Sequence, residues 1–71
     1  MKMLPEHDRV IRAALDATVE AARKAAETTT TDDAAKALRA LWHATHAAMD
    51  AVTEGDRATR EAALANTRKA A

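Results

Sequence analysis

Two histidines and one carboxylate come closest, by type and spacing, to a chemical site in this chain. His43, His46 and Asp50 follow one another at i, i+3 and i+7, which places them along one edge of a helix. Two imidazoles one turn apart, together with a carboxylate, can bind a transition metal. The nearby Arg39 disfavours a cation there because it is itself cationic. The pattern therefore favours a solvated polar strip and leaves a metal site as the alternative.

The third histidine, His7, falls on the apolar stripe of the first predicted helix. In an antiparallel arrangement it is expected near Met49, Val52 or Thr53, about two turns from His46, which is too far for a shared metal within one chain. A haem-attachment motif is absent because the chain contains no cysteine. We interpret His7 as a hydrogen-bonded histidine at one end of a helical bundle.

The composition argues against an enzyme. The chain has no serine, no cysteine and a single glycine, so it offers neither a nucleophile elbow nor a phosphate-binding loop. A mechanism with paired carboxylates needs a cleft, for which 71 residues leave little room. We expect no catalytic activity and no bound cofactor.

The charge pattern narrows the class of partner. Acidic and basic residues alternate and the formal net charge is zero, whereas nucleic-acid binding needs a basic face. A basic helix on a membrane surface is disfavoured for the same reason, and no apolar run approaches the ~20 residues that span a bilayer. The opening MKMLPEHD lacks the apolar stretch of a signal peptide. We expect a cytoplasmic protein without nucleic-acid or membrane partners.

The sequence predicts a single domain, 1–71, in which three helices position these residues. The predicted helices span about 5–27, 33–53 and 56–70. Pro5 suits a first helical turn, and the run of threonines in TTTTDD ends the first helix because β-branched side chains lose rotamer freedom there. Thr31 or Asp32 is expected to cap the second helix, and Gly55 to end it. The predicted fold is all-α, with two long antiparallel helices plus a shorter C-terminal helix.

Large apolar side chains are few, since most of the 48% hydrophobic content is alanine. A buried alanine contributes little at ~25 cal/mol per Å², and so short a chain is marginal alone. We therefore expect the protomer to assemble with its own copies into a helical-bundle oligomer. The expected core residues are Ile11, Leu15, Leu38, Leu41, Trp42, Met49 and Val52. The residues expected at contacts between chains are Leu64, Asn66, Ala44, Ala47 and Ala51.

Two resemblances accompany this interpretation. The stretch LPEHDRVIRAALD is similar to the first helix of hemerythrin-like domains, which carry iron. Only His7 would carry over, and the later His-x-x-x-Glu and His-x-x-x-His motifs of that family are missing, so we do not assign the chain to it. The whole chain resembles computationally designed helical-bundle homo-oligomers in its balanced charge, alanine filling and short connectors. A natural protein from a GC-rich bacterium has similar residue preferences.

The function predicted from the sequence is structural. We expect a self-assembling helical protein that forms a closed, cyclic homo-oligomer through its apolar and alanine faces. The alternative is a helical bundle that binds a metal or haem through histidines brought together across a symmetric interface.

Overall fold

The computed structural model describes residues 2–70, with residue 70 described by its backbone only, so the ends of the predicted domain at 1 and 71 lie outside the described residues. Helix α1 spans Pro5–Ala26 and helix α2 spans Thr31–Ala70. The described residues contain no strand, which confirms the all-helical class. The two helices pack side by side as an antiparallel hairpin that measures 61 × 14 × 13 Å.

The two helices start in different ways, α1 at a proline without a side-chain cap and α2 at a capping threonine. Pro5 occupies the first helical turn of α1, and the N–H of Leu4 donates a hydrogen bond to Thr59 Oγ1 across the hairpin at 3.3 Å. The start of α2 is capped by Thr30, whose hydroxyl accepts from the N–H of Asp33 at 3.1 Å. The cap therefore lies one residue before the predicted Thr31, and the connection between the helices is only residues 27–30.

The predicted end of a helix at Gly55 is wrong, because α2 continues without interruption for 40 residues. No glycine adopts a positive φ, so Gly55 keeps a helical conformation. Ion pairs along the helix surface support this continuity: Arg57 bridges Glu54, one turn before it, and Glu61, one turn after it. The predicted C-terminal helix, 56–70, is the last part of α2. We call residues 57–70 the overhang, because all but its first few residues, which include Thr59 in contact with Leu4, extend past the start of α1.

Small side chains form the contact between the helices, which we call the seam. On α1 the half-buried residues recur at alternating spacings of three and four, and so do the half-buried and buried residues on α2. The α1 residues of the seam are Leu4, His7, Ile11, Ala14, Thr18, Ala21 and Ala25. The α2 residues of the seam are Ala34, Ala37, Leu41, Ala44, Ala48, Ala51, Gly55 and Ala58. Alanine side chains at these positions let the two helices approach closely.

Two contacts fix the register of the seam. Thr18 Oγ1 donates to the carbonyl of Ala14 in its own helix at 2.9 Å and lies 3.2 Å from the carbonyl oxygen of Ala44 on α2. Toward the open end of the hairpin, Gly55 packs against α1. A Cβ at Gly55 would lie 3.1 Å from His7 Cβ, which is closer than ordinary van der Waals contact. Glycine is thus used here for close approach rather than for a turn.

The seam buries very few residues completely. Ala48 is the one buried hydrophobic residue among those described, and Thr59 is the buried polar one. The radius of gyration is 17.0 Å, against about 11 Å for a compact domain of this length. Among residues 2–69 the hairpin therefore has no core of large side chains.

Candidate functional site

Five of the seven large apolar residues that the sequence placed in a core lie on the outside of the hairpin. Trp42 is 56% exposed, Leu38 57% and Met49 59%, because the seam that contacts α1 runs along the alanine side of α2. Conversely, Ala44 and Ala51, expected between chains, pack within the hairpin, while Ala47 is exposed. Within the single hairpin, α1 therefore packs against the alanine side of α2 rather than against most of its large side chains.

Six exposed apolar side chains share one side of the hairpin. On α2, spacings of four, seven and three residues place four of them in one stripe, with Thr45 in the gap of seven, and on α1 the other two lie at i and i+4. Leu15 of α1 lines the same open groove, about 400 Å³ in volume, as Met49 and Val52 of α2, so the two stripes are neighbours. We call these six residues the apolar face: Leu15, Val19, Leu38, Trp42, Met49 and Val52.

The apolar face carries no charge along most of its length. The positions that continue its spacing toward the loop are alanines, Ala22 and Ala26 on α1 and Ala35 on α2. Toward the open end it stops at charged residues, Asp8 and Arg12 on α1 and Asp56 on α2. A contiguous apolar surface with a charged boundary is the usual feature of a protein-binding surface.

His43 and His46 lie on the exposed surface beside Trp42 rather than in a pocket. The His46 ring is tilted against the Trp42 indole with centroids 4.0 Å apart, and the His43 ring meets it edge-on at 5.1 Å. Both histidines and Asp50 are exposed. Among residues 2–70, no group of three or more side chains of metal-ligand type lies close enough to hold a metal ion. Within one chain, the predicted trio therefore does not form a metal centre.

His7 lies half-buried in the seam against Gly55, one turn from the predicted neighbours at 49–53. Ile11 and Leu41, two of the expected core residues, are also half-buried in the seam. Leu64 and Asn66 are exposed on the overhang, where no part of α1 lies beside α2.

The interpretation of the sequence missed Gly55, Ala48 and Thr59 as contact residues. Thr59 accepts from the Leu4 N–H and donates weakly to Met3 Sδ at 3.4 Å, so it holds the segment before α1 against α2. The signal for Ala48 and Gly55 was present as the regular three- and four-residue spacing of small residues, which continues through Gly55.

The ion pairs stabilise each helix but do not join α1 to α2. Every ion pair found in the described part of the chain joins residues three or four apart in one helix or at its end, with Arg57–Glu61 at 2.9 Å and Arg60–Asp56 at 3.1 Å as examples. The hydrogen bond and the negative charge of Glu54 raise the pKa of Arg57 above its ordinary value, with a further contribution from Glu61. Such exposed pairs each stabilise a helix by only a few tenths of a kcal/mol.

Neither α1 nor α2, as described, combines the length and the hydrophobicity that crossing a lipid bilayer requires. Comparison of the chain with protein-family models, with curated proteins and with solved structures found no match.

Proposed function

We propose that this protein is a structural, non-catalytic helical hairpin that associates with copies of itself into a closed homo-oligomer. The observation that carries the proposal is the apolar face, in which six large side chains are between 44% and 68% exposed on the same side of the hairpin. These side chains are the main apolar area that the protein has, since its seam consists largely of alanine. Association is the remaining way to remove this area from water.

The exposed area is sufficient for such an interface. The accessible surface of the hairpin is 5601 Å², whereas a compact monomer of 7.6 kDa exposes about 4,300 Å². The excess of about 1,300 Å² is larger than the roughly 800 Å² that each partner buries in a stable interface. For Trp42 alone, the exposed 56% corresponds to roughly 140 Å² of a ~250 Å² side chain.

Two valines of α1 provide a matched pair of variants. Val19 is 68% exposed and belongs to the apolar face, whereas Val10 is 57% exposed and lies on the opposite side of the same helix. Val19→Glu would place an unpaired carboxylate in the proposed interface, where burial of a charge is costly. Val10→Glu would add the same carboxylate at a position that remains in water.

The test is the mass of each variant in solution, measured by light scattering. We expect the unmodified protein and Val10→Glu to have the mass of two or more chains of 7.6 kDa each, and Val19→Glu to have the mass of one chain. Circular dichroism verifies that both variants remain helical. A single-chain mass for the unmodified protein, or equal behaviour of the two variants, would contradict the proposal.

A further inference from the structure

We infer that the partner on the apolar face is a second copy of the chain, docked face to face with its loop at the opposite end, so that two hairpins form a four-helix bundle. This inference rests on the proposed function and adds the number of copies, the face and the orientation. The twofold axis lies in the interface, perpendicular to the helices and level with Thr45. Helix α2 of one copy then packs on α2 of the other, and α1 packs on α1, each pair antiparallel.

The first support is the symmetry of the apolar face about Thr45. Leu38 lies seven residues before Thr45 and Val52 seven residues after it, while Trp42 and Met49 lie three before and four after. A twofold axis level with Thr45 therefore brings Leu38 level with the partner's Val52, and Trp42 to within one residue, about 1.5 Å, of the level of the partner's Met49. The large side chains of the two stripes thus lie at matching levels to within one residue, and the small Thr45 lies at the centre.

Helix α1 obeys the same symmetry through the register of the seam. Because Thr18 contacts Ala44, Leu15 and Val19 lie on either side of the level of Thr45, about one half-turn away from it each. The axis that matches the two halves of the α2 stripe therefore also brings Leu15 level with the partner's Val19. Two stripes on different helices thus place the axis at the same level.

The second support is charge complementarity between the two ends of the hairpin. The segment 27–33, at the loop, has three acidic and no basic residues: Glu27, Asp32 and Asp33. The overhang has four basic residues, Arg57, Arg60, Arg68 and Lys69, and one acidic residue, Glu61. The segment 27–33 is therefore net negative and the overhang net positive, although Asp56, just before the overhang, pairs with Arg60, and Glu54 and Glu61 pair with Arg57, which reduces the positive charge at that end.

The opposite orientation of the two copies brings these ends together. Thr30 lies fifteen residues before Thr45 and Arg60 fifteen residues after it, about 22 Å along the helix in each direction. The acidic loop of one copy then lies level with the first basic residues of the partner's overhang. In the other twofold arrangement, with both loops at one end, acidic loop meets acidic loop and basic overhang meets basic overhang, which is unfavourable.

A distance between labelled loops separates the two arrangements. Thr29 is exposed in the loop and outside the apolar face, so Thr29→Cys carrying a nitroxide label leaves the interface unchanged. Because each loop lies about 22 Å from the axis, we expect the two labels to be about 45 Å apart by pulsed electron resonance. A distance near 20 Å, the width of two helices, would mean that both loops lie at the same end and would overturn the inference while leaving self-association intact.

Charge reversal provides an independent readout. Replacing Asp32 and Asp33 with lysine is expected to weaken dimerisation on the order of tenfold, because the lysines would lie level with basic residues of the partner's overhang. Adding Arg57→Glu and Arg60→Glu to the same chain is expected to restore the affinity, since the opposite charges again lie level. Absence of restoration in a chain that remains helical would overturn the orientation. A mass of one chain for the unmodified protein would instead overturn the proposed function together with this inference.

Discussion

Replacement of Gly55 by alanine tests the close approach of the two helices. In an unconstrained helix interior this change stabilises the helix by about 1 kcal/mol, because glycine has the larger conformational freedom to lose. In this hairpin the added methyl group would lie 2.7 Å from Met3 Sδ and 3.1 Å from His7 Cβ. The Met3 thioether is the far end of a flexible side chain and can move, but the His7 Cβ is fixed to the backbone of α1.

The net effect follows from these two opposing terms. Relief of the contact with His7 requires α1 to shift by a few tenths of an ångström against a seam that is regularly packed on both sides. Inserting a methyl group into a packed contact costs about 1–3 kcal/mol. Subtraction of the gain of about 1 kcal/mol in helix propensity leaves Gly55→Ala neutral or destabilising by up to about 2 kcal/mol.

Ala47→Gly is the matched control, since Ala47 is exposed on the same helix about two turns earlier. It measures the propensity difference without any contact, and we expect it to cost about 1 kcal/mol. Both variants are compared with the unmodified protein by urea unfolding at one fixed protein concentration, followed by circular dichroism. If Gly55→Ala gains as much stability as Ala47→Gly loses, the seam has room for a methyl group and the reasoning is refuted.

Three further predictions concern single contacts. Thr18→Val keeps the shape of the side chain but removes the hydroxyl that lies between Ala14 and Ala44, so it should lower the free energy of unfolding by about 1 kcal/mol. The control is Thr67→Val, which should lower the free energy of unfolding less because the Thr67 hydroxyl bonds only within α2. Thr59→Val leaves the Leu4 N–H without its acceptor, and it should cost about 1–3 kcal/mol and lower the hydrogen-exchange protection of the first turn of α1; unchanged protection would contradict this role. Trp42 fluorescence should shift to shorter wavelength as protein concentration rises, because association covers an indole that is 56% exposed in the single hairpin; a concentration-independent spectrum would argue against its burial.

The helical class, the antiparallel pairing and the site of the loop could be predicted from the sequence, because each depends on strong local signals. Pro5 favours the start of α1, and the threonine run after Glu27 disfavours helix and supplies the Thr30 cap. The continuity of α2 could not be predicted in this way. A glycine followed by an aspartate is typical of a helix end and a new cap, yet Gly55 is held in the helix by the seam on one side and by ion pairs around Arg57 on the other.

The seam could not be recognised from hydrophobicity, because alanine carries little of it. Leu38, Trp42 and Met49 dominate the hydrophobic pattern of α2, so the pattern indicates the side with the larger residues. The side of α2 that contacts α1 is the side that lets the two helix axes come closest, because Ala48 and Gly55 have small side chains or none. The hydrophobic pattern therefore indicated the large residues of the apolar face, but it did not indicate that α1 packs against the alanine side of α2 instead.

The central claim is that the exposed large side chains of this hairpin pack against a second copy of the chain. Its most direct test is sedimentation equilibrium of the unmodified protein over a wide concentration series. We predict a transition from one chain of 7.6 kDa to twice that mass, with no larger species. A mass of 7.6 kDa that persists at the highest concentrations, in a protein that circular dichroism shows to be fully helical, would contradict the claim.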